Sequence, residues 1–236
     1  MDSRSSEAVF PGIAIAAFDI SPDSRLVVYT TASYGTTQLW LAPVDHSSPP
    51  IKIEVSGARS PHFGPRGQIL FQRAEGDMNY LEQIDADGSH GAKVFPYPII
   101  EFMGVSRSRR WVAASVPTAT EKNLPAIAVI PLDGGTPRRV CATYCVPSWS
   151  TDGKFVFIPV EESSLTNPGR SLAIPLGPGE SLPDLPPAGI PPLAQPNIVP
   201  GSSSVGRDFL VAGKDPQHYA WIKTTVHRHL YRISLQ

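Results

Sequence analysis

Cys141 and Cys145, in the stretch VCATYCVP, are the only cysteines of the chain and the first candidates for chemistry. A structural zinc site needs four ligands, and no second CxxC or CxxH pair accompanies these two residues. The ligand count therefore argues against a metal site. A disulfide across the loop, which would form in an oxidising compartment, and a pair of free thiols both remain open interpretations.

Two further patterns could hold a metal ion. His227 and His229 are two positions apart, so on a strand both would point to one face. Apolar residues continue that face and no third ligand is evident, which favours packing or hydrogen bonding. DADGS at 85–89 resembles part of a calcium loop, but the register places Gln83 and Val94 where ligands are required. The sequence thus predicts a hairpin turn there, and neither a metal nor a cofactor.

The sequence patterns that could indicate catalysis are as weak as those for metal binding. GSSSVG at 201–206 fails the G-x-S-x-G spacing of a nucleophile elbow and is interpreted as a linker. Glu161 and Glu162 are adjacent, so on a strand they would face opposite ways and could not form a general acid/base pair. No phosphate-binding loop, kinase catalytic loop or HExxH motif is present. The sequence predicts a protein without enzymatic activity, although catalytic residues contributed by separate segments would leave no local motif.

The composition argues against nucleic-acid binding and against a membrane span. The 236 residues carry 20 Lys or Arg and 21 Asp or Glu, a formal net charge of -1, without the basic excess that nucleic acids require. RSRRW at 107–111 and PRR at 137–139 are interpreted as solvated turns, with phosphate or acidic-partner contacts as the alternative. No segment reaches the ~18 apolar residues of a membrane helix, and the N-terminus lacks a signal-peptide pattern.

The strands that would position any functional site belong to a repeated sequence unit. Its four copies are FDISPDSRLVVYTT (18–31), PHFGPRGQILFQRA (61–74), MGVSRSRRWVAASV (103–116) and PSWSTDGKFVFIPV (147–160). The equivalent residues Ser21, Gly64, Ser106 and Ser150 are separated by 43, 42 and 44 positions. A period in the low forties with several short strands per unit is the signature of a β-propeller. The 26 prolines, about twice the usual ~5% share, indicate many turns and little helix.

The repeat divides the chain into one propeller domain, residues 1–236, with about five four-stranded blades. The predicted blades span approximately 13–57, 58–99, 100–142, 143–180 and 205–236. Within the repeated turn, Asp23 and Asp152 are expected to accept hydrogen bonds from backbone amides, and Gly67 and Gly153 to adopt positive φ. These four residues are therefore interpreted as structural. A blade cannot bury both faces of its sheet alone, so the unit must repeat around the ring.

Two segments lie outside this pattern. The Pro-rich insertion at 177–204 is expected to form an extended loop between the fourth and fifth blades, interpreted as a packed surface connection. A strip that covers the mouth or binds a partner is the alternative. The fifth unit ends before its outer strand, and we expect residues 8–10 to supply that strand and join the termini, with a frayed N-terminus as the alternative.

The repeat resembles the Pro-Asp variant of the WD-type propeller repeat, as in the TolB-like propellers. That family's unit has an aromatic residue, Ser-Pro-Asp-Gly-Lys, an apolar strand and a second strand that ends in Leu-Asp-Gly-Gly. The matching stretches are ISPDSRLVVY, QLWLAPVD, WSTDGKFVF and IAVIPLDGG. The second copy keeps the glycine but has GPRGQ in place of Ser-Pro-Asp-Gly, and SRSRR in the third has lost both Asp and Gly. The resemblance covers nearly the whole chain and implies the fold.

The functions that the resemblance implies are varied: periplasmic assembly factors, sensor regions of bacterial regulators and gating domains of peptidases. The closing pattern KTTVHRHLYRISL is most similar to the C-terminal propeller of bacterial regulatory serine/threonine kinases, which implies a fused effector domain and an extracytoplasmic location. Rings of this family hold six or seven blades, so five copies indicate a small ring, monomeric if it closes, or part of a larger one. We expect an interaction or sensory scaffold that binds a protein or small ligand at one mouth. A propeller hydrolase or lyase with dispersed residues is the alternative.

Overall fold

The computed structural model describes residues 10–33, 35–118, 126–164, 166–208 and 210–221. These residues form antiparallel β-sheets joined by turns, with two single-turn 3₁₀ helices at Pro178–Glu180 and Pro196–Ile198. The predicted all-β propeller class is confirmed. In the described part of the chain, four of the five sheets have four strands and the fifth has two.

Each sheet is an up-and-down meander in which consecutive strands are neighbours. The first contains β1 (Ile15–Ile20), β2 (Leu26–Ser33), β3 (Thr36–Pro43) and β4 (Ile51–Ser56). The second contains β5 (Arg59–Phe63), β6 (Ile69–Glu75), β7 (Met78–Ile84) and β8 (Ala92–Lys93). The third contains β9 (Glu101–Val105), β10 (Trp111–Val116), β11 (Ala126–Pro131) and β12 (Arg138–Cys141). The fourth contains β13 (Ser148–Trp149), β14 (Phe155–Glu161), β15 (Arg170–Pro175) and β16 (Ser203–Val205). The fifth contains β17 (Leu210–Asp215) and β18 (His218–Trp221).

The middle strands of the third and fourth sheets are largely buried because neighbouring sheets cover both of their faces. All six residues of β11 are buried, as are the four central residues of β15. A short continuous apolar run bounded by turns is the pattern expected for such strands. Strand β1 alternates instead, and its outward-facing Phe18 and Ile20 are 60% and 42% exposed. Strand β1 therefore exposes its outward-facing side chains, although Val27 and Tyr29 of the neighbouring β2 are buried in a cluster against which Phe10 packs.

Apolar clusters lie between consecutive sheets and hold them face to face. Representative pairs, in order along the chain, are Val28 with Phe71, Leu70 with Val112, Ile127 with Ile158, and Phe157 with Leu210. Burial of one such aliphatic or aromatic side chain contributes about 1.5–3 kcal/mol. The contacts between sheets are thus the main source of stability, as expected for a repeat in which one sheet cannot bury both faces.

The Pro-rich segment lies inside the fourth sheet and not between the fourth and fifth. Residues 203–205, predicted to be linker, form β16, and Val205 pairs with Ser171 of β15. The prediction failed because three residues of a Ser-rich stretch have little strand propensity of their own, and the ready-made edge of β15 supplies the pairing. The segment is packed, with Ile190 and Val199 buried in the cluster between the third and fourth sheets.

Several predictions fall outside the described residues. Residues 8 and 9 of the expected closing strand, the second half of the fifth unit, and His227 and His229 all do so. Phe10 is described, and its ring lies 5.0 Å from that of Tyr29 on β2. None of the helices in the described ranges is long and apolar enough to cross a membrane.

Candidate functional site

The predicted turn residues lie in the loops that join the first and second strands of a sheet. In the first sheet, Ser21 Oγ donates a hydrogen bond of 2.6 Å to Asp23 Oδ1, and the Leu26 N–H donates to Ser21 Oγ at 2.9 Å. Ser150 Oγ donates to Asp152 Oδ1 in the same way, at 2.8 Å. Each serine and aspartate pair closes its own turn, as an Asx-type turn does, and leaves no group directed at a ligand.

The third repeat completes this turn with residues of a different kind. Gly67 and Gly153 have φ angles of 83° and 71°, and Arg109 occupies the equivalent position with a φ of 61°. This left-handed conformation costs about 1–2 kcal/mol for a residue with a side chain. Ser108 replaces the aspartate, and Glu180 of the Pro-rich segment supplies the carboxylate, accepting bonds of 2.9 Å from Ser108 N–H and 2.5 Å from its Oγ. The third turn therefore depends on a residue 72 positions away.

The guanidinium of Arg109 joins the first three sheets. It donates to the carboxylate of Asp19 on β1 and to the carbonyl oxygens of Ile20 and Phe63, at 3.0 and 3.2 Å. Asp19 also accepts a 3.0 Å bond from the Phe63 N–H, and His62 Nδ1 lies 3.6 Å from Asp19 Oδ2. The Arg109 side chain is 10% exposed, so this arginine of the RSRRW cluster is not a solvated turn residue as predicted.

A cluster of aspartate and histidine from separate blades is what a dispersed catalytic site would require. Burial raises the pKa of Asp19, but the hydrogen bonds and charges of His62 and Arg109 outweigh burial and lower that pKa to about 2. A carboxyl group with this pKa is ionised near pH 7 and cannot act there as a general acid. Arg109 is already engaged by one carboxylate and two carbonyls. The arrangement favours a structural tie between blades over acid/base chemistry.

A cleft of about 210 Å³ lies at the end of the fourth sheet opposite the repeated turn. The cleft is bounded by the connection before β13 (residues 142–147), the end of β14 with Glu162 beyond it, residues 190–193 of the Pro-rich segment, and Asp208 between β16 and β17. Val160 and Ile190 form part of its apolar wall. Tyr144 and Leu193 stand at its edge with 54% and 61% of their surface exposed. The cleft is thus apolar inside and has two exposed hydrophobic side chains beside it.

A disulfide between Cys141 and Cys145 forms one wall of this cleft. Its two Cα atoms are 6.3 Å apart, and Arg139 donates hydrogen bonds to the carbonyls of Cys141 and Ala142 at 3.1 and 2.9 Å. The loop that presents Tyr144 is therefore closed covalently and fixed by an arginine. This arrangement corresponds to the disulfide alternative of the sequence analysis.

Acidic side chains line the same cleft. Glu161 is paired with Arg170, whose Nε lies 3.2 Å from its Oε2, and Asp208 accepts a 2.6 Å bond from the Ser163 N–H. Glu162 is exposed, and the described residues offer it neither a hydrogen bond nor an ion pair. Both Glu161 and Glu162 line the cleft, and only Glu161 lies on a strand, because β14 ends there. Nowhere in the described ranges do three or more His, Cys, Asp or Glu side chains form a group that could hold a metal.

Of the residues singled out from the sequence, the structure brings Cys141, Cys145, Glu161 and Glu162 together in the cleft. Asp23, Gly67, Asp152 and Gly153 remain in separate turns at the other end of the sheets. Sequence reasoning missed Tyr144, Leu193 and the Asp19–Arg109 pair. The loss of glycine in SRSRR was a visible signal for Arg109, but nothing local identifies a partner 90 positions away.

Comparison with known proteins supports the fold. The chain matches no protein-family model and no curated protein. Among solved structures, a putative TolB from Agrobacterium tumefaciens matches with a TM-score of 0.54 at 14% identity, over 71% of this chain and 60% of that one. TolB from Acinetobacter baumannii matches with a TM-score of 0.52 at 14% identity, over 70% and 41% of the respective chains. The chain thus spans less than two thirds of either protein, and the similarity to TolB-like propellers is shown for the fold.

Proposed function

We propose that this propeller is a non-catalytic interaction module that binds a protein partner through the cleft between its third and fourth blades. The observation that carries the proposal is the cleft itself, an apolar cavity flanked by the exposed Tyr144 and Leu193. Tyrosine next to a desolvated pocket is typical of the residues that dominate binding energy at protein interfaces. Loops on a rigid β-scaffold are the usual place for such sites.

The walls of the cleft support binding because they are already fixed. The Ala142 N–H donates to Ile190 O at 2.9 Å, and the Leu193 N–H donates to Val160 O at 2.7 Å. Together with the disulfide, these bonds fix the connection before β13 and the Pro-rich segment to each other and to β14. A pre-ordered surface loses little conformational entropy on association, and so more of its contact energy appears as affinity.

Panning a phage-displayed library of random peptides on the immobilised chain tests the proposal. We expect selected peptides to bind the wild type and to lose binding to the double variant Tyr144→Ala/Leu193→Ser. Met78→Ala provides the control, because Met78 is similarly exposed, at 52%, but lies on the second sheet. Failure to select any peptide, or binding that the double variant retains, contradicts the proposed function.

The Asp19 cluster gives no support to the alternative of a hydrolase. Asp19 is ionised near pH 7, and Arg109 is already engaged by one carboxylate and two carbonyls. The resemblance to the propeller of a regulatory kinase remains a prediction. The described residues do not test whether an effector domain is fused to this propeller.

A further inference from the structure

We infer that the cleft binds a peptide segment of the partner in which one apolar side chain is flanked by Lys or Arg. The inference rests on the proposed function and specifies its ligand class. It combines three observations on the described residues: the size of the cavity, the apolar character of its wall, and carboxylates on its edge that lack a cation.

The cavity size favours a single side chain over a complete small molecule. Pockets for drug-sized ligands have volumes of about 300–1,000 Å³, whereas this cleft encloses about 210 Å³. That space equals roughly seven waters at about 30 Å³ each, which suits one large aliphatic or aromatic side chain. Val160, Ile190 and the disulfide would surround that side chain, and Tyr144 and Leu193 would cover the peptide beside it.

The charge of the cleft favours a cationic neighbour for that side chain. Arg170 compensates Glu161 directly. Glu162 has no cation beside it in the described part of the chain, and Glu101 accepts only the 3.3 Å hydrogen bond from the Tyr144 hydroxyl. Two carboxylates near the exposed tyrosine thus have unused acceptor capacity. Arg and Lys are the side chains that satisfy such carboxylates with charge-assisted hydrogen bonds, and an acidic peptide would be repelled.

The same charges predict how binding depends on salt. Glu162 and Glu101 are exposed, so their attraction for a cationic peptide acts through water and is screened over about 10 Å at 0.1 M salt. The apolar contact is insensitive to this screening. Affinity should therefore fall with rising salt but not vanish.

Fluorescence anisotropy with labelled synthetic peptides tests the inference. The probe is Gly-Arg-Leu-Arg-Gly, compared with Gly-Glu-Leu-Glu-Gly, which reverses the charge, and Gly-Arg-Gly-Arg-Gly, which removes the apolar side chain. We expect both comparison peptides to bind at least tenfold more weakly than the probe. Equal binding of the acidic peptide, or of the peptide without leucine, overturns the inference.

A matched pair of variants places the charge effect in the cleft. Glu162→Gln should weaken probe binding about two- to fivefold, the effect of one solvent-exposed ion pair, and should reduce its salt dependence. Asp77→Asn is the control, because Asp77 is an exposed acid in the corresponding hairpin of the second sheet, between β6 and β7. If the two variants bind the probe equally well, the inference is wrong. Circular dichroism of both variants verifies that they are folded.

The outcomes also separate this inference from the proposed function. Peptides that depend on Tyr144 for binding but show no preference for Lys or Arg would overturn the inference and leave the interaction module standing. Peptides that bind independently of Tyr144 would overturn both.

Discussion

Replacing Arg109 with glycine tests the inter-blade tie, because the substitution sets two opposing effects against each other. Arg109 stands at the glycine position of the repeated turn with a φ of 61°. Glycine would relieve a backbone strain of about 1–2 kcal/mol. It would also remove the guanidinium that holds Asp19 and bridges the first three sheets. The sign of the stability change shows which effect is larger.

The expected magnitude follows from the burial of the pair. Removing one partner of a buried ion pair costs about 3–5 kcal/mol, and the lower end applies because the Asp19 side chain remains 18% exposed. Glycine also loses about 0.5–1 kcal/mol more than alanine through its larger freedom in the unfolded state. Against the relieved strain, the net loss is about 1.5–3 kcal/mol. For a chain of this length that loss lowers Tm by roughly 3–12 °C.

Urea unfolding followed by circular dichroism measures this loss. Ser24→Gly is the matched control, because Ser24 is exposed and has the same φ of 61° at the same turn position of the first repeat. Its stability should stay within about 1 kcal/mol of the wild type. If Arg109→Gly is as stable as the wild type, the ion pair does not hold the blades together and the reasoning is refuted.

Three further predictions concern Asp19, Glu180 and the disulfide. The pKa of Asp19 is lowered from 3.8 to about 2, so its contribution of about 2 kcal/mol is nearly complete at about pH 5 and is lost as the pH falls towards 2. Urea midpoints should fall more over this range in the wild type than in Asp19→Asn, where other carboxylates with a lowered pKa, such as Asp152, still contribute. Glu180→Ala should cost about 1–3 kcal/mol by removing the two charge-assisted hydrogen bonds that its carboxylate accepts from Ser108, whereas Glu54→Ala, at an exposed site on β4, should change the unfolding free energy by less than about 0.5 kcal/mol. The double variant Cys141→Ser/Cys145→Ser should lose roughly 2 kcal/mol from the entropy of a short closed loop, and an unchanged thermal midpoint would contradict that estimate.

The repeat made most of the fold predictable from the sequence. Spacings of 42 to 44 residues between Ser21, Gly64, Ser106 and Ser150 identify the units, because each unit must present the same faces to its neighbours. The turn chemistry at Ser150 and Asp152 is local and therefore visible in the sequence. The position of β16 could not be predicted from the sequence, because that strand forms through pairing with β15 and not through its own propensity.

The candidate site was less predictable because its parts meet only in the folded chain. Tyr144, Glu162 and Leu193 come from three connections, and none belongs to a motif. Arg109 appeared in the sequence as one charge of a basic cluster, and its burial depends on Asp19, 90 positions earlier. Tertiary contacts of this range leave no periodic or local signal in a single sequence.

The most direct test of the central claim is a map of backbone amide chemical shifts while a peptide from the phage selection is titrated into the isotope-labelled chain. The account predicts that the perturbed residues cluster around Tyr144, Glu162 and Leu193. Perturbations centred on Asp19 and His62, which line an open depression of about 300 Å³, would place the binding site among the inner strands and contradict the account.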